Sequence, residues 1–230
     1  MDKRLISVIV LVLILLVGSE LFLPMVMSNA VNQGLMSLTG SEHVDAKLTK
    51  EPALLMLGGN FDTLQINAQH AKIDKIVFSE MNIALTDAQL DMGKLISQRV
   101  VELQSVKDVD IIAVVGQDDL AQYLNQGVKG VKNAVVVITP DKVKASSNFA
   151  IGGIVNVAVT LEGRIVYDGQ KVKFVTDQFS VNNVITGNIG GALLTEIPIL
   201  DINKLPFHVN VRDIVTGAGK VTLYLDNRTH

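Results

Sequence analysis

The sequence predicts an α+β fold, with antiparallel strands and a few short helices following an N-terminal hydrophobic helix. Three observations predict it. Leu5 to Val17 (LISVIVLVLILLV) is an unbroken apolar run. Apolar and polar residues alternate in many later stretches, most regularly from Val155 to Tyr167, and a period of two marks a half-buried strand. Turn chemistry separates those stretches, as at Thr139-Pro140-Asp141-Lys142, Asp168-Gly169 and Gly217-Ala218-Gly219, where Pro, Asp and Gly supply the dihedrals that tight turns need.

The apolar run follows Lys3-Arg4, and no further Lys or Arg occurs before Lys47. Basic residues stay on the cytoplasmic side, so the N-terminus is expected inside and the remainder exported. A run of this length suits the hydrophobic region of a signal peptide. A span needs about 20 residues, which is reached by adding Gly18-Ser19-Glu20 and the patch Leu21 to Met27. Both readings stay open: an uncleaved anchor, or cleavage after Ser19 or Ala30. The expected organisation is a signal-anchor or signal peptide over 1–27, a connecting helix over 28–40 and one domain over 41–230.

Composition narrows the function. Lys+Arg number 20 against 23 Asp+Glu, and no block of like charge marks a nucleic-acid arm. Cysteine and tryptophan are absent and aromatics are 4%. The domain therefore has no disulfides or thiolate metal site, and it is a poor candidate for stacking on single strands.

In chain order, Pro24 to Leu38 continues the helix and Gly40 closes it. Val44, Ala46 and Leu48 alternate with polar neighbours as a short strand, ended by Glu51-Pro52. Ala53 to Leu57 is an apolar turn closed by Gly58-Gly59. Asp62, Leu64, Ile66 and Ala68 share one face of the next strand. Another strand is expected from Lys72 to Thr86. Its inward set is Ile76 and Phe78, then Met81, Ile83 and Leu85, and this parity change predicts a β-bulge at Ser79-Glu80. Asp91 to Gln98 is a turn or two of helix, and Val100 to Val115 is mostly strand. Asp118 to Gln126 is the best later helix. Asp118-Asp119 sit where carboxylates satisfy free N–H groups, and Leu120, Tyr123 and Leu124 form its apolar face. Hairpins follow: Val135–Ile138 with Val143–Phe149, and Val155–Tyr167 with Lys171–Thr176. Then come Phe179–Ile185, a weak helix at Asn188–Leu194, and Phe207–Val215 with Lys220–Asp226. The Val155–Tyr167 strand spans about 40 Å at ~3.3 Å per residue, which implies an elongated sheet.

No catalytic pattern appears. His43, His70, His208 and His230 are scattered, and no Gly-x-Ser-x-Gly elbow is present. The paired glycines 58–59, 152–153 and 190–191 lack the Lys-bearing helix of a phosphate loop. Asp108, Asp110, Asp118 and Asp119 read as capping and surface groups rather than a metal site. Neither a cofactor nor a catalytic residue is expected. Lys142, Lys144, Lys171 and Lys173 form a basic rim suited to anionic lipid headgroups, at about 1 kcal/mol per residue near a charged surface. A solvated face is the plainer reading.

From Gly59 to Asp226 the order of features resembles the LmeA-like bacterial phospholipid-binding family. The residues that carry the likeness are Gly59-Asn60-Phe61-Asp62-Thr63-Leu64-Gln65-Ile66-Asn67-Ala68 and Met81-Asn82-Ile83-Ala84-Leu85-Thr86-Asp87-Ala88. With them go Asp119-Leu120-Ala121-Gln122-Tyr123-Leu124, Asp168-Gly169, and Leu205-Pro206-Phe207-His208-Val209-Asn210-Val211. The resemblance implies a TULIP-like domain: an elongated, strongly curved antiparallel sheet wrapped around a helix, with a groove for acyl chains. It also implies an envelope protein that holds or transfers phospholipid, tethered to the cytoplasmic membrane or released to the periplasm if the leader is cleaved. The inward residues Val155, Val157, Val159, Leu161, Ile165, Phe174, Val221, Leu223 and Leu225 are then the candidate groove lining. The partners are phospholipid or another acyl lipid and the membrane, with no nucleic acid. The same strands also suit a filled core, which would make the protein a non-catalytic envelope scaffold or interaction module.

Overall fold

The computed structural model describes residues 3–151, 155–182, 184–185, 196–205 and 208–228. The fold is α+β: an N-terminal helix followed by antiparallel sheets, one of them strongly curved. Helix α1 runs without a break from Lys3 to Thr39, through both segments that the sequence separates. The residues fall into two compact units, Met1–Ala68 with Asn82–Val109 and Gln69–Met81 with Asp110–His230.

The first unit holds α1, strand β1 (His43–Thr49), a 3-10 turn (Ala53–Gly58) and residues 60–68 of β2 (Asn60–Ile73). Residues 82–90 of β3 (Ile76–Leu90), helix α2 (Met92–Gln98) and β4 (Leu103–Ser105) complete it. The two halves of α1 differ. Up to Val26 its described side chains are exposed or half-exposed, whereas Met27, Val31 and Gly34 are buried. Spacings of four and three place those residues on one helical face. This half of the helix packs against β1, whose Val44, Ala46 and Leu48 are buried; Asn32 Oδ1 accepts from the Ala46 N–H at 2.7 Å, and Gly34 lies against Arg99 and Val101. Pro24 lies three residues before Met27, where this change begins, and proline lacks the N–H that would bond four residues back. Helix α2 is capped by Asp91, which accepts from the Lys94 N–H at 2.9 Å.

In the second unit residues 69–81 form the tip of the β2–β3 hairpin. Then follow β5 (Asp108–Gly116, from Asp110 onward), α3 (Gln117–Gly127), β6 (Val131–Ile138), β7 (Val143–Ile151), β8 (Val155–Tyr167) and β9 (Lys171–Val181). The last elements are β10 (Val184–Ile185), β11 (Glu196–Asp201), a 3-10 turn (Ile202–Lys204), β12 (Asn210–Gly217) and β13 (Lys220–Asp226). Two sheets result. One runs β3-β5-β13-β12; the other runs β10-β9-β8-β7-β6, with β11 on β9.

Several boundaries differ from the sequence reading. The strand expected from Lys72 begins at Ile76, because Asp74 turns the chain at φ 56°. Short polar side chains tolerate that left-handed region. Burial parity does switch between Phe78 and Met81. Val100–Val115 is two strands, β4 and β5, rather than one. β9 is continuous through Asp177-Gln178, where two strands were expected. β11 was not anticipated, since Pro198 argues against a strand; it is tolerated because β11 pairs with β9 alone. The helix expected at Asn188–Leu194 lies outside the described residues.

Candidate functional site

The interior of the second unit is built from alternating strand residues. In β8, Val159, Leu161 and Ile165 are buried; in β9, Val172 and Phe174; in β13, Val221, Leu223 and Leu225. β13 pairs with β5 in the register Val221↔Val115 and Leu223↔Ala113. Helix α3 adds Leu120, Tyr123 and Leu124. Its start is secured by Asp119, which accepts from the Gly116 N–H at 3.2 Å. The Tyr123 hydroxyl donates to the Pro198 carbonyl, tying α3 to β11. Burial pushes the Tyr123 hydroxyl up from its ordinary value, and the charge of Asp74 adds to this.

A cavity of about 20 Å³ lies among Ile76, Phe78, Val115, Leu120, Ile165, Val172, Ile199, Leu200, Val221 and Leu223. Every one of these side chains is apolar. The volume barely exceeds the 10–15 Å³ or so that one water needs, while ligand pockets run to roughly 300–1,000 Å³. As it stands, this cavity is too small for an acyl chain.

Of the nine groove candidates, Ile165, Val221 and Leu223 line the cavity. Val159, Leu161, Phe174 and Leu225 are buried without lining it, and Val157 is half-buried. Val155 begins β8, but its side chain lies outside the described residues. Sequence reasoning placed Ile76, Phe78 and Leu120 on apolar faces without assigning them to the site. Ile199 and Leu200 were missed because β11 was missed. Periodicity gives the inward face of each strand, but not which faces meet.

The basic rim is largely neutralised. Glu162 receives Lys142 at 2.5 Å and Lys144 at 3.1 Å. Lys173 lies between Asp168 at 2.5 Å and Glu196 at 3.0 Å. Lys171 is half-buried and forms no ion pair among the described residues. The hydrogen bond from Lys142, then that from Lys144, holds the Glu162 carboxyl below its ordinary 4.5. A lowered carboxyl contributes stability above the unfolded-state value, and that contribution is lost as pH falls through the folded-state value. Thermal melts of Glu162→Gln and the parent chain are thus expected to differ at neutral pH, with the gap closing progressively as pH falls below the ordinary 4.5. A gap that widens on acidification would contradict this.

No group of His, Asp and Glu suited to a metal ion occurs among the described residues. Asp110 instead pairs with Arg228 at 2.8 Å and Arg212 at 3.6 Å. The arrangement is an apolar interior with ion pairs outside it. A family model for LmeA-like phospholipid-binding proteins matches residues 18–226. The chain belongs to the LmeA-like phospholipid-binding family. The match spans β1 to β13 and the second half of α1, so family membership covers both units. No curated protein and no solved structure matches the chain.

Proposed function

We propose that this protein is a membrane-tethered lipid-binding protein that holds or transfers phospholipid in the cell envelope, by binding rather than catalysis. Family membership over residues 18–226 carries this reading. Helix α1 is the anchor. It is long and apolar enough to cross a bilayer, with a mean hydropathy of 2.8 over an 18-residue stretch. Lys3 and Arg4 keep its N-terminus on the cytoplasmic side, leaving the rest of the chain extracytoplasmic. An uncleaved anchor is supported by the buried contacts of Met27 and Val31, which flank the possible cleavage point after Ala30. Removal of the leader would instead release the protein to the periplasm.

Phospholipid binding at the apolar interior requires that interior to open. β11 and α3 are the elements best placed to move, since β11 pairs with one strand only and α3 is short. The small volume of this cavity also favours a second reading, an envelope scaffold or interaction module. A phospholipid bearing a photoreactive group at its acyl terminus separates the two, using the full chain in native-like vesicles. Crosslinks to peptides of β8, β9 and β13 are expected for a lipid holder. Crosslinks confined to α1 would show bilayer contact alone and favour the scaffold.

A further inference from the structure

The 3-10 turn at Ala53–Gly58 has two faces. Ala53 and Met56, three residues apart, are fully buried, as the 3-10 period requires. Leu54, Leu55 and Leu57 point outward with 48%, 48% and 51% of their surface exposed. The turn's inward positions are already filled by the other two residues, so folding gives no reason for three outward leucines. Contiguous exposed apolar side chains mark an interaction surface.

Its attachment identifies the occupant. The Ala53 N–H donates to Glu20 Oε1 at 2.9 Å, fixing the start of the turn to α1 at one level of that helix. From Arg4 to Glu20 the helix rises ~24 Å. The hydrocarbon core is about 30 Å thick, so Glu20 falls within about a turn of the boundary opposite Lys3-Arg4. Leu21, Phe22 and Met25 follow on α1, exposed at 75%, 70% and 66%. The three leucines are therefore held beside the point where α1 leaves the bilayer, and the exposed apolar surface continues from helix to turn.

We infer that the Ala53–Gly58 turn inserts Leu54, Leu55 and Leu57 into the boundary between headgroups and acyl chains, docking the first unit on the membrane that α1 spans. The inference rests on α1 being a membrane anchor. Shallow apolar insertion of this kind reaches roughly 5–10 Å into the interface. It holds the first unit against the bilayer surface instead of leaving it on a free tether. Glu20, an acidic residue in an apolar helix, gains a role as the acceptor that sets the level of the turn.

The chain contains no Trp, so single reporters can be read without background. The full chain is prepared with Leu11→Trp, Leu55→Trp or Ile96→Trp. Each is placed in nanodiscs of phosphatidylethanolamine and phosphatidylglycerol, with or without bromine on the acyl chains. Leu11 lies in the exposed apolar part of α1, and Ile96 is an exposed residue of α2, in the same unit as the turn. The Arg99 that ends α2 lies against Gly34, ~21 Å along α1 beyond Glu20. Bromine should strongly quench Leu11→Trp, and quench Leu55→Trp several-fold more than Ile96→Trp. Equal quenching at 55 and 96, with position 11 quenched, would overturn the docking and leave the anchor standing. An unquenched position 11 would overturn the anchor and the docking together.

Discussion

Replacing Phe78 with alanine is expected to lower the unfolding free energy by about 3–5 kcal/mol, and phospholipid is expected to restore part of that loss. Phe78 is fully buried and borders the small cavity of the second unit. Truncation removes the transfer free energy of the ring and leaves a larger void, because a close-packed interior collapses only partly around it. Against a usual total of about 5–15 kcal/mol, the loss is severe. The void has a functional consequence. A ligand that binds only the folded state stabilises it, by about 2.7 kcal/mol at a hundredfold excess over Kd. If this interior receives acyl chains, the larger cavity accepts them with less opening. Phospholipid then raises the melting temperature of Phe78→Ala more than that of the parent chain. Phe78→Leu, which leaves a smaller void, should fall between them. Identical lipid effects on all three chains would place acyl binding elsewhere and strengthen the scaffold reading.

The sequence was most legible where one physical signal acts alone. The β8–β9 hairpin was placed by strict alternation and one Asp-Gly turn, and α3 by a short apolar face behind two acidic residues. Legibility fell where local backbone geometry overrode alternation. His70, Asp87 and Asn133 take positive φ values of 53°, 49° and 52°. Each lies where burial parity slips: Ala68 to Ala71, Leu85 to Ala88, and Val131 to Ala134. Asn, Asp and His adopt this conformation more readily than other non-glycine residues, so they mark bulges that hydrophobic pattern alone does not show. The site was harder still. Ile165, Val221 and Leu223 read correctly as inward residues, but the register Leu223↔Ala113 comes from long-range pairing. Nothing near residue 223 in the sequence encodes that partner. The lysines illustrate the same limit, since Glu162 reaches Lys142 and Lys144 only through the β7–β8 register.

Gly163→Ala is expected to cost about 3 kcal/mol, at the upper end of overpacking effects, although alanine adds a single carbon. A Cβ at this position would lie 2.0 Å from the Val175 carbonyl oxygen, 2.9 Å from its carbon and 3.0 Å from the Thr176 Cα. These are backbone atoms of the paired strand, so no side-chain rotation relieves the clash. The β8–β9 register already shifts between Glu162 and Gly163, where the strands approach too closely for any side chain. Accommodating the Cβ requires β9 to move from β8 next to the pairs Arg164↔Val175 and Ile165↔Phe174. Gly169→Ala provides the contrast. That glycine has φ +94° in the hairpin turn and open space around it, so alanine there meets backbone strain without a clash and should cost less, about 1 kcal/mol. Amide hydrogen exchange distinguishes the mechanisms. In Gly163→Ala the amides of 172–175 should lose protection, while those of β6 keep theirs. Uniform loss across the second unit would indicate global destabilisation without local separation of the strands. Unchanged protection throughout would show that the close approach of β8 and β9 is not needed. Because Ile165 and Phe174 face each other across this point, local separation would also change acyl-chain crosslinking to β8 and β9. The same substitution therefore tests whether the register of these two strands, and not merely their apolar character, shapes the lipid site.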